Sequence, residues 1–456
     1  MMSKSPTILD NISSEEALLK AWKLLNKSNK SSKGLSNVSV KDFEGNLKTH
    51  IAEISKALKS DSYKFSKVKG VTIKKKDGKP RPLRVPEIKD RLVHKVLALE
   101  FEKLLSKEFK LDNKCSFAYQ KDKGIIDAVA QMVINYREGN PLILEADIEK
   151  FFPSVDSEAL IKKIKKALPD NSVDDLFERA MKQELGNIQE LQNKKVYEEH
   201  FLNYENGIPQ GNALSPLLAN ICLSDFDQRM IAANLKMVRY ADDFIVLCKD
   251  KDEAKRAFEI ASDELENKLN LKIYPFQNEE GTLGKFSRIV DPRAFSFSFL
   301  SIRFDGKRCW VDDKKVISLI AKLRALASME ERKKEVKEEI WLLQGLTKFR
   351  NLLEGWIAAY YFVDIDPQII EIDKHVNIEL YKMFTSFNFS LNKKDLQKIS
   401  LKGKSNPRWG LSDTQRKFSG IPTCKTILTK LRTSKDSFEE RINTKILIEE
   451  KSLIEI

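Results

Sequence analysis

The feature that most limits how this chain can fold is "KMVRYADDFIVLCKD", residues 236–250, where two β-forming runs flank a pair of adjacent acids. Val238, Tyr240 and Phe244 to Leu247 favour a pleated, half-buried strand, so Asp242 and Asp243 are expected in a tight turn between two strands. Aspartate suits turns because its carboxylate hydrogen-bonds nearby backbone, and an acid pair in a hairpin is therefore no site by itself. A second apolar strand, Leu142 to Ile148 in "GNPLILEADIEKFFPSVD", also ends in an acid, Asp147. If the two strands are neighbours, three carboxylates converge. Such a set suits two hard divalent cations, whose remaining ligands are waters or phosphates. Two ions about 4 Å apart can lower the pKa of a hydroxyl, align an in-line attack on phosphorus and stabilise the leaving group.

Net charge narrows the partners. Eighty Lys and Arg against 67 Asp and Glu leave thirteen positive charges on 456 residues, which favours a polyanion such as nucleic acid or an anionic membrane. The excess is concentrated in residues 61–95, with twelve Lys or Arg and four acids, although a solvated face has the same composition. Cys115, Cys222, Cys248, Cys309 and Cys424 stand far apart with no C-x-x-C pair, so they read as reduced core residues. His50, His94, His200 and His375 are too scattered for a nuclease site. No run approaches the ~20 apolar residues of a membrane span, and "MMSKSPTILDNISSEEALLK" has no cleavage-site pattern, so a cytoplasmic protein without membrane contact is expected.

Along the chain, "SSEEALLKAWKLLNK" reads as a helix with Ser14 as its cap, followed by an amphipathic helix from about Phe43 to Leu58 with Leu47, Ile51, Ile54 and Leu58 on one face. "VTIKKKDGKPRPLRVP" has the composition of a β-hairpin, and "RLVHKVLALEFEKLLSKEF" that of an apolar helix. A charged helical region covers about 157–198. In "NGIPQGNALSPLLANICLSDFDQRM" a glycine-rich turn gives way to a helix with Ser215 at the cap and Pro216 at the first position. A helix over about 252–269 and the strands of "FSFSFLSIRFD" come next, then helices from about 313 to 385. The last sixty residues read as basic and irregular.

In this order and at these spacings, "LILEADIEKFFPSVD", "GIPQGNALSPLLANICL", "VRYADDFIVL" and "FLSIRF" resemble the palm motifs of reverse transcriptases. "KKKDGKPRPLRVPEIKDRLVHK" resembles the fingers motif of the group II intron-like lineage. "AWKLLNKSNKSSKGLSNVSVKDFE" is similar to its N-terminal extension, and "RNLLEGWIAAYY" (350–361) to its thumb. The resemblance spans roughly residues 15–385. It implies an α+β right-hand polymerase fold with fingers, a palm of antiparallel sheet packed on helices, and an α-helical thumb. The implied division is an N-terminal extension (1–60), fingers (61–140), palm (141–308, with the helical insertion), thumb (309–395) and a basic C-terminal extension (396–456).

The resemblance also implies roles. Asp147, Asp242 and Asp243 are the catalytic acids and, with the backbone carbonyl of Ile148, the ligands of two Mg2+ ions, for which Mn2+ is a possible substitute. Phe152 lies under the sugar and leaves no room for a 2′-hydroxyl. Lys74, Lys75, Lys79 and Arg81 meet the triphosphate, Arg81 best because its planar fork pairs with phosphate oxygens. Gln210 touches the template, and Gly211 lets backbone approach the incoming base pair. Phe299, Leu300 and Ser301 form the primer grip, with Ser301 where the family more often has Gly. In "CSFAYQKDKG" (115–124), Tyr119, Gln120 and Lys123 replace a Phe-Arg-Pro-Gly-Arg type sequence, a departure from intron proteins.

The expected function is an RNA-directed DNA polymerase using dNTPs and an RNA template to make DNA. The resemblance is greatest to the defence-associated, retron-type enzymes of bacteria, which implies an associated non-coding RNA and a role against phage. A group II intron-type or retron enzyme, a non-catalytic RNA-binding maturase and a polymerase making RNA stay open, while Ser215-Pro216 departs from the Ser-Gln of diversity-generating elements. Oligomeric state is not legible in the sequence.

Overall fold

A computed structural model describes residues 5–25, 27, 32–74, 80–202, 207–277, 285–328, 342–435 and 437–454. It forms two compact units, residues 1–124 with 143–289 and residues 125–142 with 290–456.

The first unit begins with short helices. The Ser14 hydroxyl accepts from the Ala17 N–H at 3.2 Å and caps Glu15–Leu24, as the sequence predicts. The single helix expected over Phe43 to Leu58 is instead two, Val40–Gly45 and Leu47–Lys59, separated at Asn46, whose φ of −122° is not helical. Ile51, Ile54 and Leu58 are buried on the second of these. Strands β1 (Lys69–Lys74) and β2 (Pro80–Val85) pair antiparallel, in register from Lys69↔Val85 to Lys74↔Pro80.

The central sheet contains β3 (Leu142–Asp147), β4 (Lys236–Tyr240), β5 (Asp243–Cys248) and β6 (Arg288–Val290) in the order β4-β5-β3-β6. Phe244 to Cys248 are all buried, so this strand reads as a continuous apolar run because both of its faces are covered. Helices Ser215–Cys222, Ser224–Ala232 and Lys251–Ser262 contribute Leu218, Phe226, Met230 and Ala257 to the same core. Ser215 is not the cap expected of it. Leu214 occupies that position, and the Ser215 hydroxyl donates to the Pro209 carbonyl.

The second unit carries an antiparallel meander of β7 (Phe297–Phe299), β8 (Ile302–Phe304) and β9 (Cys309–Val311). Among the described residues three helices follow, Asp313–Ala327, Leu342–Tyr360 and Asp366–Ser386, as the sequence predicts for this stretch. Phe349, Leu353, Ile357 and Tyr360 are buried at one-turn spacing. The C-terminal stretch is not irregular. It forms β10 (Gln397–Ile399) and β11 (Arg408–Gly410), paired antiparallel, and helices Asp413–Phe418, Cys424–Ser434 and Phe438–Ile454. A buried Arg416 organises this module: its Nη1 donates to Asp373 Oδ1 at 2.6 Å and to Asn377 Oδ1 at 3.2 Å. All five cysteines are buried and unpaired.

Candidate active site

Because β5 lies between β4 and β3, the last residue of β3, Asp147, and the first of β5, Asp243, belong to adjacent strands. The Asp147 charge acts on both acids of the turn. Asp243 is exposed to solvent, yet desolvation by the surrounding protein, then the Asp147 and Asp242 charges, raise its carboxyl to about 6. Burial and the Asp147 charge raise Asp242 as well, opposed by the nearby Arg81 guanidinium. Each of these carboxylates is thus costly to ionise without a cation beside it.

A buried lattice fixes the turn that presents the pair. Tyr240 pairs with Asp243, so only Ala241 and Asp242 bridge the strands. Ala241 has φ +61°, a left-handed conformation that costs a residue with a Cβ roughly 1–2 kcal/mol. Its carbonyl accepts from Arg239 Nη1 at 2.8 Å. Arg239 has no exposed surface and spends its remaining donors on Asp227 (Nε to Oδ1 2.6 Å, Nη2 to Oδ2 2.5 Å), Ser116 Oγ (2.8 Å) and Asn220 Oδ1 (3.3 Å). The backbone of Cys115 to Phe117 lies alongside, with Arg239 N–H donating to Cys115 O at 2.7 Å and Phe117 N–H to Arg239 O at 3.0 Å.

A cavity of about 600 Å³ in the same unit is lined by Arg81, Arg84, Tyr119, Phe152, Gln210 and Gly211, among others. It gathers four of the expected nucleotide-site residues. Arg81 Nε donates to Gln210 Oε1 at 3.1 Å, so the expected phosphate-binding and template-contacting side chains are joined. Gly211 has φ +109°, and a Cβ there would stand 2.3 Å from the Arg84 carbonyl, so no other residue fits. Phe152 is 8% exposed, with its ring edge-on to Phe151 at 5.3 Å. Lys75 and Lys79 lie outside the described residues, as does the side chain of Lys74. Phe299, Leu300 and Ser301 belong to the second unit. There Leu300 (φ +52°) and Ser301 (φ +69°) form the two-residue turn of the β7–β8 hairpin, a geometry that favours Gly.

Among the described residues no three His, Cys, Asp or Glu side chains stand close enough to cage one ion. Mg2+ does not require such a cage, since it keeps waters and is held by one or two carboxylates together with substrate phosphates. The donors fit that chemistry. They are hard oxygens whose repulsion calls for positive charge, and Asp147 already holds a cation, the ammonium of Lys285, which also lies 5.0 Å from the centre of the Tyr274 ring. Burial, the largest single influence, would lower the Lys285 pKa, but its bond to Asp147 and the charges of Asp147, Tyr274 and Asp243 together raise it. The bridge Ile148↔Ile273 uses the Glu149 N–H to Lys272 O and Tyr274 N–H to Asp147 O bonds, neither of which occupies the Ile148 carbonyl.

Sequence reasoning missed Lys285 and the Arg239–Asp227 pair. An arginine inside an apolar strand, "MVRY", was the available signal for the second; the first had none. Tyr119 stands half-exposed in the cavity, with its hydroxyl pKa raised by burial and then by Asp242.

Comparison with known proteins agrees with this geometry. Residues 73–275 match the family model described as reverse transcriptase (RNA-dependent DNA polymerase). Protein YkfC of Escherichia coli K12 is 23% identical over 330 residues, 64% of this chain and 81% of that protein. The group II intron-encoded protein LtrA of Lactococcus lactis is 27% identical over 212 residues, 46% of this chain but 33% of that protein, so the chain spans only about a third of this relative. A chain of a partial Cas6-RT-Cas1–Cas2 complex is 26% identical with a TM-score of 0.33, over 58% of this chain and 43% of that one. The fold and site define an α+β polymerase of the right-hand class. Residues 73–275 thus form a reverse transcriptase (RNA-dependent DNA polymerase) domain, and the chain is similar to group II intron-encoded proteins.

Proposed function

We propose that the chain copies RNA into DNA by two-metal nucleotidyl transfer, with Asp147, Asp242, Asp243 and the Ile148 carbonyl holding the ions. The observation that carries this reading is the adjacency of β3, which ends at Asp147, and β5, which begins at Asp243, with the Asp147 charge felt by both acids of the turn. Two Mg2+ ions, or Mn2+ in their stead, would supply activation of the primer 3′-hydroxyl and stabilisation of the leaving pyrophosphate.

The chain's own residues do the binding and orienting. Arg81, tied to Gln210 through Nε, keeps its terminal nitrogens for the triphosphate, with Lys74, Lys75 and Lys79 as further cations of the hairpin. Phe152 walls the cavity where a ribose 2′-hydroxyl would fall, and Gly211 allows backbone close to the new base pair. Lys285 neutralises Asp147 in the free protein and so limits repulsion among the acids. Phe299, Leu300 and Ser301 form the primer grip.

In this reading residues 61–140 are fingers, 141–308 palm, 309–395 thumb and 396–456 a C-terminal module, with 1–60 an N-terminal extension. An associated non-coding RNA and a role in bacterial anti-phage defence are supported by Tyr119, Gln120 and Lys123 in place of the intron-type sequence, and by the folded basic module after the thumb. No helix among the described residues is long and apolar enough to cross a membrane.

The test is primer extension on an RNA template with labelled dNTPs and Mg2+. Asp242→Asn is expected to lower incorporation at least about a hundredfold, beyond what loss of a group that merely supports a metal ligand costs. Equal incorporation by parent and variant would remove these acids from the mechanism; none from either would leave a binding protein.

A further inference from the structure

The β10–β11 hairpin of the C-terminal module concentrates positive charge without acids. Residues 396–409 contain Lys398, Lys402, Lys404 and Arg408 and no Asp or Glu; residues 414–435 are also acid-free and basic, but Arg416 and Arg432 there are held by Asp373 and Asp366. Lys394 stands just before the hairpin, next to Asp395. All five cations are exposed, and none has an ion-pair partner among the described residues. An acid of the packed helix, Glu371, accepts the Lys402 backbone N–H and faces Lys374 and His375.

The hairpin also displays an aromatic ring. The register sets Lys398 opposite Trp409, with the ammonium 5.4 Å from the ring centre and the ring 43% exposed. The opposite face is anchored. Ile399 and Leu401 cluster with Ile378, and a Cβ at Gly410 would stand 2.5 Å from Ile399. Lys398 and Trp409 are thus presented outward from a fixed base, by strand alternation. Exposed cations interleaved with a flat aromatic face suit a strand whose phosphates are regularly spaced and whose bases are unstacked. An anionic membrane would want an apolar face to bury, and the exposed stretch 402–408 is Lys-Gly-Lys-Ser-Asn-Pro-Arg.

We infer that this hairpin is a docking surface for a single-stranded segment of RNA, with Trp409 stacking on an unpaired base and Lys398, Lys402, Lys404 and Arg408 contacting its phosphates. The inference deepens the reverse transcriptase reading, which requires an RNA partner before any DNA product exists, and on that ground RNA is the ligand assigned.

The experiment measures binding of a fluorescent oligo-uridylate to the full-length protein by anisotropy across a salt series, with oligo-deoxythymidylate and phosphatidylserine vesicles as parallel arms. Trp409→Ala is expected to weaken uridylate binding about fivefold to a hundredfold, while Trp409→Phe, which keeps a stacking face, retains most of the affinity. Lys402→Ala with Lys404→Ala should flatten the slope of log affinity against log salt by about 1.4, from ~0.7 for each single-strand phosphate contact. Extension of a saturating, pre-annealed primer–template should be unchanged in all three variants. That arm reads the polymerase assignment separately: no extension by the parent would sink that assignment without touching the hairpin result. Unchanged uridylate affinity in both Trp409→Ala and the double lysine variant overturns the inference. So does a larger loss for deoxythymidylate, or for vesicles, than for uridylate.

Discussion

Phe151 and Phe152 are adjacent, both nearly buried and packed edge-on, so sequence alone could not say which ring belongs to the core. Only Phe152 lines the cavity that also holds Arg81 and Gln210. Phe152→Ala is therefore expected to relax sugar choice, raising ribonucleotide incorporation relative to deoxynucleotide on the order of tenfold to a hundredfold, the range one well-fitted apolar wall can discriminate. Competition between rNTPs and dNTPs in primer extension reads this, and unchanged discrimination would return Phe152 to the core. Arg81 is a different case. Its chemistry was legible from its place in the hairpin, but its bond to Gln210, 129 residues away, was not.

At the scale of the element, the β4–β5 hairpin was legible because β-formers flanked the acids, yet what holds its turn was hidden. Removing Arg239 alone leaves the Asp227 carboxylate buried and unpaired, so Arg239→Met is expected to cost about 3–5 kcal/mol in urea unfolding. Adding Asp227→Leu should recover much of that stability without restoring DNA synthesis, because the Ala241 carbonyl stays released. Full recovery of both would make the pair purely structural. Helix Ile88–Leu105 carries a second buried charge. Asp90 is wholly buried, accepts from the Tyr63 hydroxyl (2.7 Å) and the Ser66 N–H (3.0 Å), and is raised by burial to about 6. The folded state therefore holds this proton to higher pH than the unfolded chain. Its contribution is fully present below the ordinary carboxylate pKa near 4 and is lost as pH rises through 6, by roughly 3 kcal/mol at most. His94, one turn on and pushed down to about 3 by burial, has the opposite sign, its contribution being lost as pH falls below the ordinary 6.5. Unfolding of parent and Asp90→Asn at pH 4, 5, 6 and 7 isolates the first effect. The parent should lose stability relative to the variant as pH rises, and a flat difference would contradict the assignment.

For the whole molecule, thirteen net positive charges make nucleic-acid binding strongly dependent on salt. With about six phosphate contacts, RNA affinity should fall roughly a thousandfold between 50 and 200 mM salt, and a flat filter-binding series would exclude an electrostatic interface. Alternating and continuous apolar runs identified β3, β4 and β5 of the central sheet but not the short β6, and the order of motifs identified the polymerase class, because these signals are local. The C-terminal stretch misled for the same reason: its helices depend on partners far along the chain, such as Arg416 on Asp373, and its composition alone looks unstructured. The sequence by itself determined that two strand ends would carry acids and that the chain would attract polyanions, since strand propensity and charge reside in the residues. Only the tertiary structure decided that β3 lies beside β5, that Lys285 sits on Asp147 and that Arg239 holds Ala241, because each joins residues that only packing of the folded chain brings within reach.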